Sequence, residues 1–239
     1  MKALILAGGM GTRMRELTRM TNKCCLRVGD QSLVKRVVTL LQDHQIQDIK
    51  IITGHCAERV HEEVGPQAHY IFNPLYHSIG ILFGVWLAKD HLNNEPFVLS
   101  TADHFFHPQI LEPFLNKSGD VIVAVKRKHC TAEDVKVVVE GDHITLFEED
   151  IPAARAVGEF GMLVLFNNPA VSRVFFQMVE QFLANQQHKS RLIDALNNMI
   201  QQGYVFTPYF FDEHLGVEVD TYEDLEKARQ LDILFKEKL

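Results

Sequence analysis

Between residues 3 and 100, short apolar and β-branched runs alternate with stretches of helical period, and this alternation restricts the chain to an α/β fold around a mostly parallel sheet. Strands are predicted at residues 3–6, 49–53, 70–72 and 97–100, with helices between them at about 33–41, 57–63 and 79–91. Parallel neighbours need a crossover, usually a helix, and each gap here is long enough to hold one. Such a sheet is covered on both faces.

Beyond Asp103 the pattern loosens. Residues 121–126 and 135–139 read as strands, and Glu140-Gly141-Asp142 turns the second of them into another at 143–147, as a hairpin. Helices at roughly 170–185 and 191–202 precede strands near 205–210 and 216–219 and a last helix from Tyr222. Ser32, Asn168 before Pro169, Ser190, and Thr221 with Asp224 are the predicted helix caps. At 239 residues, with no repeat and no low-complexity linker, the chain reads as a single domain, a βα core over 1–118 followed by a β-rich portion over 119–239.

Directly after the first strand stands LAGGMGTRM. Gly8, Gly9 and Gly11 let backbone approach a ligand unobstructed, and successive exposed N–H groups make a concavity for an anion, with phosphate the natural guest. A P-loop needs Gly-Lys followed by Ser or Thr, whereas Gly11 is followed by Thr12-Arg13. A dinucleotide fingerprint needs a third glycine where Met14 stands, and a helix at once, whereas Thr18, Thr21 and Asn22 suggest a long irregular loop. Asp103 lies just past the carboxyl end of an apolar strand, where open α/β sheets bind ligands, and Asp220 sits at a second strand end before a capped helix.

Composition narrows the partners. A net charge of -7 disfavours a nucleic-acid surface, which rests on accumulated Lys and Arg, but leaves room for small phosphate ligands in a locally cationic pocket. No apolar run approaches the length of a membrane span or a signal segment, so a cytoplasmic protein without membrane partners is expected. Cys24, Cys25, Cys56 and Cys130 lack CxxC spacing and are expected as reduced thiols. Among the twelve histidines, neither His55-Cys56 with His61 nor His104 with His107 supplies the convergent set that zinc needs.

The loop from Leu6 to Met14 together with Lys23 resembles the signature of the nucleotidyltransferases that activate sugar phosphates and phosphocholine. That resemblance implies a GT-A-like, Rossmann-like three-layer α/β fold with a mixed, mostly parallel sheet and a β-rich acceptor portion. It implies nucleotide contacts at Leu6, Ala7, Gly8, Gly9, Gly11, Thr12 and Ala102, and base or ribose contacts in the stretch holding Asn73 and Gly80. Arg13 is then expected to neutralise the leaving pyrophosphate and Lys23 to bridge the α-phosphate and the incoming phosphate, while Asp103 and Asp220 bind Mg²⁺. Carboxylates beside a triphosphate need such a cation, since like charges near 4 Å cost about 4 kcal/mol even at an effective dielectric of 20.

On the acceptor side the resemblance marks His104, Glu159 and Phe160; separately, Lys126, Arg127 and Lys128 end a strand as a basic triplet that reads either as a contact for an acceptor phosphate, through Lys128, or as a solvated face. Two departures from the family pattern stand out: Asn22 replaces the usual proline before the lysine, and Gly80-Ile81 replace paired asparagines of choline-type members. Ile79, Leu82, Val85 and Trp86 read as one apolar helix face, which leaves an aromatic cage for a quaternary ammonium to Phe160, Tyr209, Phe210 or Phe211. The expected activity is Mg²⁺-dependent transfer of CMP from CTP to a small phosphomonoester or phosphonate of the phosphocholine kind. Rival readings are a sugar-1-phosphate nucleotidyltransferase using GTP or UTP, and a nucleotide-sensing regulatory paralogue; a GT-A glycosyltransferase lacks support because Thr101 stands where its D-x-D motif needs aspartate. Monomer and homodimer are both left open.

Overall fold

Strand β1 (Lys2–Ala7) is buried from its second residue onward, as the centre of a parallel sheet requires. The computed structural model of the chain describes residues 1–236, and the side chains of all of these except residues 15 and 16. After β1 come the short pair β2 (Arg27–Val28) and β3 (Gln31–Ser32), then β4 (Asp48–Thr53), β5 (His69–Phe72), β6 (Phe97–Thr101) and β7 (His104–Phe106). The second half adds β8 (Val121–Arg127), β9 (Lys136–Glu140), β10 (His143–Glu148), β11 (Gly158–Phe166), β12 (Phe206–Asp212) and β13 (Gly216–Glu218). Helices are α1 (Leu33–Asp43), α2 (Ala57–Val64), α3 (Ile81–Leu87), α4 (Lys89–Leu92), α5 (Leu111–Leu115), α6 (Pro169–Ala184), α7 (Leu192–Gln201) and α8 (Tyr222–Lys236).

One nine-stranded mixed sheet runs in the order β10-β9-β11-β6-β1-β4-β5, with β8 and β12 joined to it through β11. β4, β1 and β6 are mutually parallel, and β5 continues them beyond β4. β11 runs antiparallel to β6 and β8, and its first residues also pair with β9. Its register shifts between Phe160 and Val164, where Met162 takes a φ of 51°, so the strand bends as it passes from the hairpin to the parallel strands.

The pleat sorts β1 onto two cores. Leu4 and Leu6 face Leu82, Val85, Phe175, Phe176 and Leu192 of the α3, α6 and α7 layer, while Ala3 and Ile5 face Val34, Val38, Val60 and Phe114 of the α1, α2 and α5 layer. A third, smaller cluster packs Leu225 and Ala228 of α8 against Val28, Phe105 and Val217. The last of these contacts arises because β13 pairs antiparallel with β7, setting Glu218 opposite His104. That small sheet ties the C-terminal segment to the end of β6. Among the described residues no helix is long and apolar enough to cross a membrane.

Three local expectations are corrected. The helix expected over 79–91 is two shorter ones, α3 and α4, meeting at Ala88. Trp86 is not a core residue: it is partly exposed, stacks on Phe83 and directs Nε1 to Glu180 at 3.2 Å, the polar outlet that an indole seeks. Arg191, not Ser190, stands at the N-cap of α7: Asp194 accepts the Arg191 backbone N–H at 2.7 Å, and the Asp194 N–H donates to the Arg191 carbonyl at 3.2 Å. Ser32, Asn168 and Thr221 cap as expected; Asp224 accepts the Thr221 N–H at 2.8 Å.

Candidate active site

The glycine turn after β1 has its carbonyls tied down and its donors left open. The Gly8 carbonyl accepts from His55 N at 3.3 Å, and that of Gly11 accepts from Met14 N at 3.1 Å and Thr18 Oγ1 at 2.8 Å. Buried Asn22 donates through Nδ2 to the carbonyls of Ala7 (2.9 Å), Gly9 (3.2 Å) and His55 (2.9 Å). Its Oδ1 meanwhile accepts from Cys24 N at 3.1 Å, capping the short turn Lys23–Cys25. Among the described residues the N–H groups of Gly9, Met10 and Gly11 make no hydrogen bond, which leaves three adjacent donors for an anion.

Two glycines are required by geometry. Gly11 has a φ of 59°, and a side chain there would also meet Lys23 Cβ at 3.0 Å. At Gly54, just past β4, a Cβ would lie 2.6 Å from the Gly8 carbonyl oxygen and 2.7 Å from Tyr76 Cβ, so the loop can rest on β4 only because no side chain intervenes.

Lys23 is the hinge of the charges. Its Nζ lies 2.7 Å from Asp103 Oδ2 and 2.5 Å from Asp220 Oδ1, joining the end of β6 to the segment after β13. The Val219 N–H donates to the Asp103 carbonyl at 3.0 Å, which fixes that approach in the backbone as well. Burial opposes the charge on Lys23, but Asp103 and Asp220 outweigh it and hold the ammonium above the ordinary lysine range. Burial likewise opposes ionisation of Asp103, yet Lys23 and His104 keep its carboxyl well below the usual carboxylate range. Arg13 pairs with Asp220 Oδ2 through Nη1, but its side chain is 66% exposed, so this contact is weak and easily exchanged for another anion.

Beside these charges lies a cavity of about 280 Å³. Six of the expected nucleotide and metal residues line it: Leu6, Gly8, Gly9, Asn73, Gly80 and Asp103. Ile52, Tyr76, Ile79, Ile81 and Thr101 complete the wall. Asn73 Oδ1 accepts from Leu75 N at 2.9 Å, and the Gly80 N–H donates to His188 O at 2.6 Å, so the turn from α6 to α7 braces the entrance to α3. Ala7 and Ala102 are buried behind the wall, and Gly11 and Thr12 lie on the outer turn of the loop rather than against the cavity.

The acceptor-side expectations fare differently. Phe160 is corrected: it is 2% exposed and packs on Phe147 in the core, so it offers no surface to a ligand. Glu159 and Lys128 are spent on internal pairs. Glu159 Oε2 lies 2.5 Å from Lys126 Nζ, and Lys128 Nζ lies 3.0 Å from Asp134 Oδ2; neither residue lines the cavity. His104 is 4% exposed, with Nδ1 at 2.8 Å from Thr101 Oγ1, and so sits behind Asp103 instead of facing the cavity.

Glu218 was missed. Burial pushes its carboxyl up and, against the opposing His104, Asp103 and Asp220 push it further. The signal was present in GVEVDT, because residues two apart at a strand end share a face, which puts Glu218 on the side of Asp220. Asn22, which in sequence only replaces a proline, is in the structure the clamp of the glycine turn.

A family model described as "MobA-like NTP transferase domain" matches residues 3–203. The choline-phosphate cytidylyltransferase of Streptococcus pneumoniae is 26% identical over 237 residues, covering 97% of this chain and 98% of that one. The CMP-5'-(3-aminopropyl)phosphonate synthase of Streptomyces rubellomurinus is 26% identical over 188 residues, 76% of this chain and 30% of that longer protein. Among solved structures, the inositol-1-phosphate CTP transferase of T. maritima superposes with a TM-score of 0.81 at 21% identity, covering 100% of this chain and 97% of the other, a likeness of fold.

Proposed function

This chain belongs to the MobA-like NTP transferase domain family and is a nucleotidyltransferase, and on that footing we propose that it transfers CMP from CTP to a small phosphate or phosphonate monoester of the phosphocholine kind, releasing pyrophosphate. The observation that carries this reading is the convergence of Lys23, Asp103 and Asp220 at the foot of a glycine loop with three open N–H donors. Cytidine nucleotides are common to the three relatives described above, whose printed names otherwise differ in acceptor.

In this reading the open N–H groups of Gly9 to Gly11 hold the nucleotide phosphates, and the nucleoside lies in the cavity against Asn73, Tyr76 and Gly80. An acceptor phosphate or phosphonate oxygen attacks the α-phosphorus in line; a new P–O bond forms as the bond to pyrophosphate breaks. Lys23 holds both reacting phosphates and offsets the charge that develops between them, and Arg13 exchanges Asp220 for the departing pyrophosphate. Asp103 and Asp220 fit a divalent cation, since both carboxylates already converge on the single ammonium of Lys23. Bound there, Mg²⁺ supplies neutralisation of phosphate charge.

The test is pyrophosphate release from the full chain with Mg²⁺, each of the four NTPs, and a panel of phosphocholine, 2-aminoethylphosphonate and sugar 1-phosphates. Release is expected with CTP and a phosphocholine-like acceptor, and Lys23→Ala is expected to lower kcat about 10²–10³-fold. Release only with GTP or UTP and a sugar 1-phosphate would replace the acceptor and base assigned here. No release with any pair would overturn the CMP transfer proposed here.

A further inference from the structure

Asp103 presents its two carboxylate oxygens to different partners. Oδ2 meets Lys23 at 2.7 Å, while Oδ1 lies 3.4 Å from His104 Nδ1. On the ring's other edge, His104 Nε2 lies 3.9 Å from Glu218 Oε2, a spacing set by the β7–β13 register that faces these two residues. Asp103, His104 and Glu218 each offer one ligand atom, all within 4.8 Å of one another, and no other group of three such residues occurs among the described residues.

Two features make this more than a cluster of acids. His104 is held as a ligating imidazole is held: Thr101 Oγ1 engages Nδ1 at 2.8 Å and Phe106 stacks on the ring at 5.2 Å, which fixes the ring and leaves Nε2 toward Glu218. The Glu218 carboxylate, for its part, accepts no hydrogen bond among the described residues, although Asp103 stands beside it. The two carboxylates flank the imidazole, Asp103 nearest Nδ1 and Glu218 nearest Nε2, with one ligand atom of each residue within 4.8 Å of the others.

We propose that Asp103, His104 and Glu218 form a second cation position, served by the oxygen of Asp103 that Lys23 does not use, and that it takes a divalent transition ion such as Mn²⁺. The donor set decides the ion. Mg²⁺ favours oxygen ligands and keeps its waters, whereas an imidazole with two carboxylates suits Mn²⁺, Fe²⁺ or Zn²⁺. Ligand atoms that share one such ion at about 2.1 Å lie within some 4–4.5 Å of each other, so small side-chain movements close the site. The position of this ion beside the substrate phosphates rests on the nucleotidyl-transfer reading; its binding does not.

The experiment is a titration of Mn²⁺ into the full chain without nucleotide or acceptor, with free Mn²⁺ followed by electron paramagnetic resonance and Co²⁺ absorption reporting a nitrogen ligand. Without nucleotide, Asp220 stays paired with Lys23 and Arg13, so one ion per chain is expected at the proposed position, weakened about tenfold or more by His104→Gln and by Glu218→Gln, and left near its wild-type affinity by Asp220→Asn. Circular dichroism checks folding, and the conservative Glu218→Gln decides alone if His104→Gln does not fold. No tight Mn²⁺ site in the wild type, or a site lost in Asp220→Asn and kept in Glu218→Gln, overturns the proposal. Because no substrate is present, this outcome is independent of whether pyrophosphate is ever released.

Discussion

Asn22 shows how one amide sets the chemistry of a loop. Three carbonyls converge on its Nδ2 and one N–H reaches its Oδ1, so the side chain couples the glycine turn to the turn that carries Lys23. Asn22→Asp keeps the acceptor for Cys24 but turns a second acceptor toward those carbonyls. We expect the KM for nucleotide to rise at least about tenfold, with a loss of about 1–3 kcal/mol in stability from the unpaired buried groups. Steady-state kinetics and denaturant unfolding measure the two effects, and an unchanged KM would remove Asn22 from the loop's function. At this scale the sequence was informative where a residue sits at a strand end. Asp103 and Asp220 were found that way, and Glu218 follows from the same alternation; Phe160 was not separable, because a phenylalanine in the core and one in a ligand cage read alike.

β11 is the element that sequence reading overlooked. Its opening residues read as a segment touching an acceptor, but the strand instead joins the hairpin to the parallel strands, and its bend at Met162 interrupts the alternation that marks a strand. Near its start the polar side chains bind one another. Burial opposes ionisation of Asp134, but the Thr131 N–H and Lys128 outweigh it and hold the carboxyl below its ordinary 3.8. Burial also opposes the charge on Lys128, and Glu159 and Asp134 hold that amine above its ordinary 10.5. A lowered carboxyl contributes stability above its unfolded value that is lost as pH falls through the folded one; a raised amine contributes below its unfolded value and loses it as pH rises. Asp134→Asn should therefore cost about 1–3 kcal/mol between roughly pH 5 and 10 and progressively less below about pH 3. Denaturant unfolding of both proteins across that range checks it; an equal cost at pH 2 and pH 7 would show that packing, not charge, holds the knot.

Across the whole molecule, the parallel core was legible because, beyond the loop that follows β1, short apolar runs and stretches of helical period alternate as far as β6. The site is harder to read because its parts meet only through tertiary pairing: β13 must find β7 before Asp220 can reach Lys23. With a net charge of -7, the protein as a whole repels a triphosphate, so binding has to come from local donors and cations at the loop. A crystal structure with CTP and Mg²⁺ tests this most directly. The account predicts phosphate oxygens on the N–H groups of Gly9 to Gly11, with Lys23 turned from its carboxylates toward the α-phosphate. A nucleotide seated elsewhere, for instance in the open pocket where Arg127 lies over Phe210, with the Lys23 ion pairs intact, would contradict it.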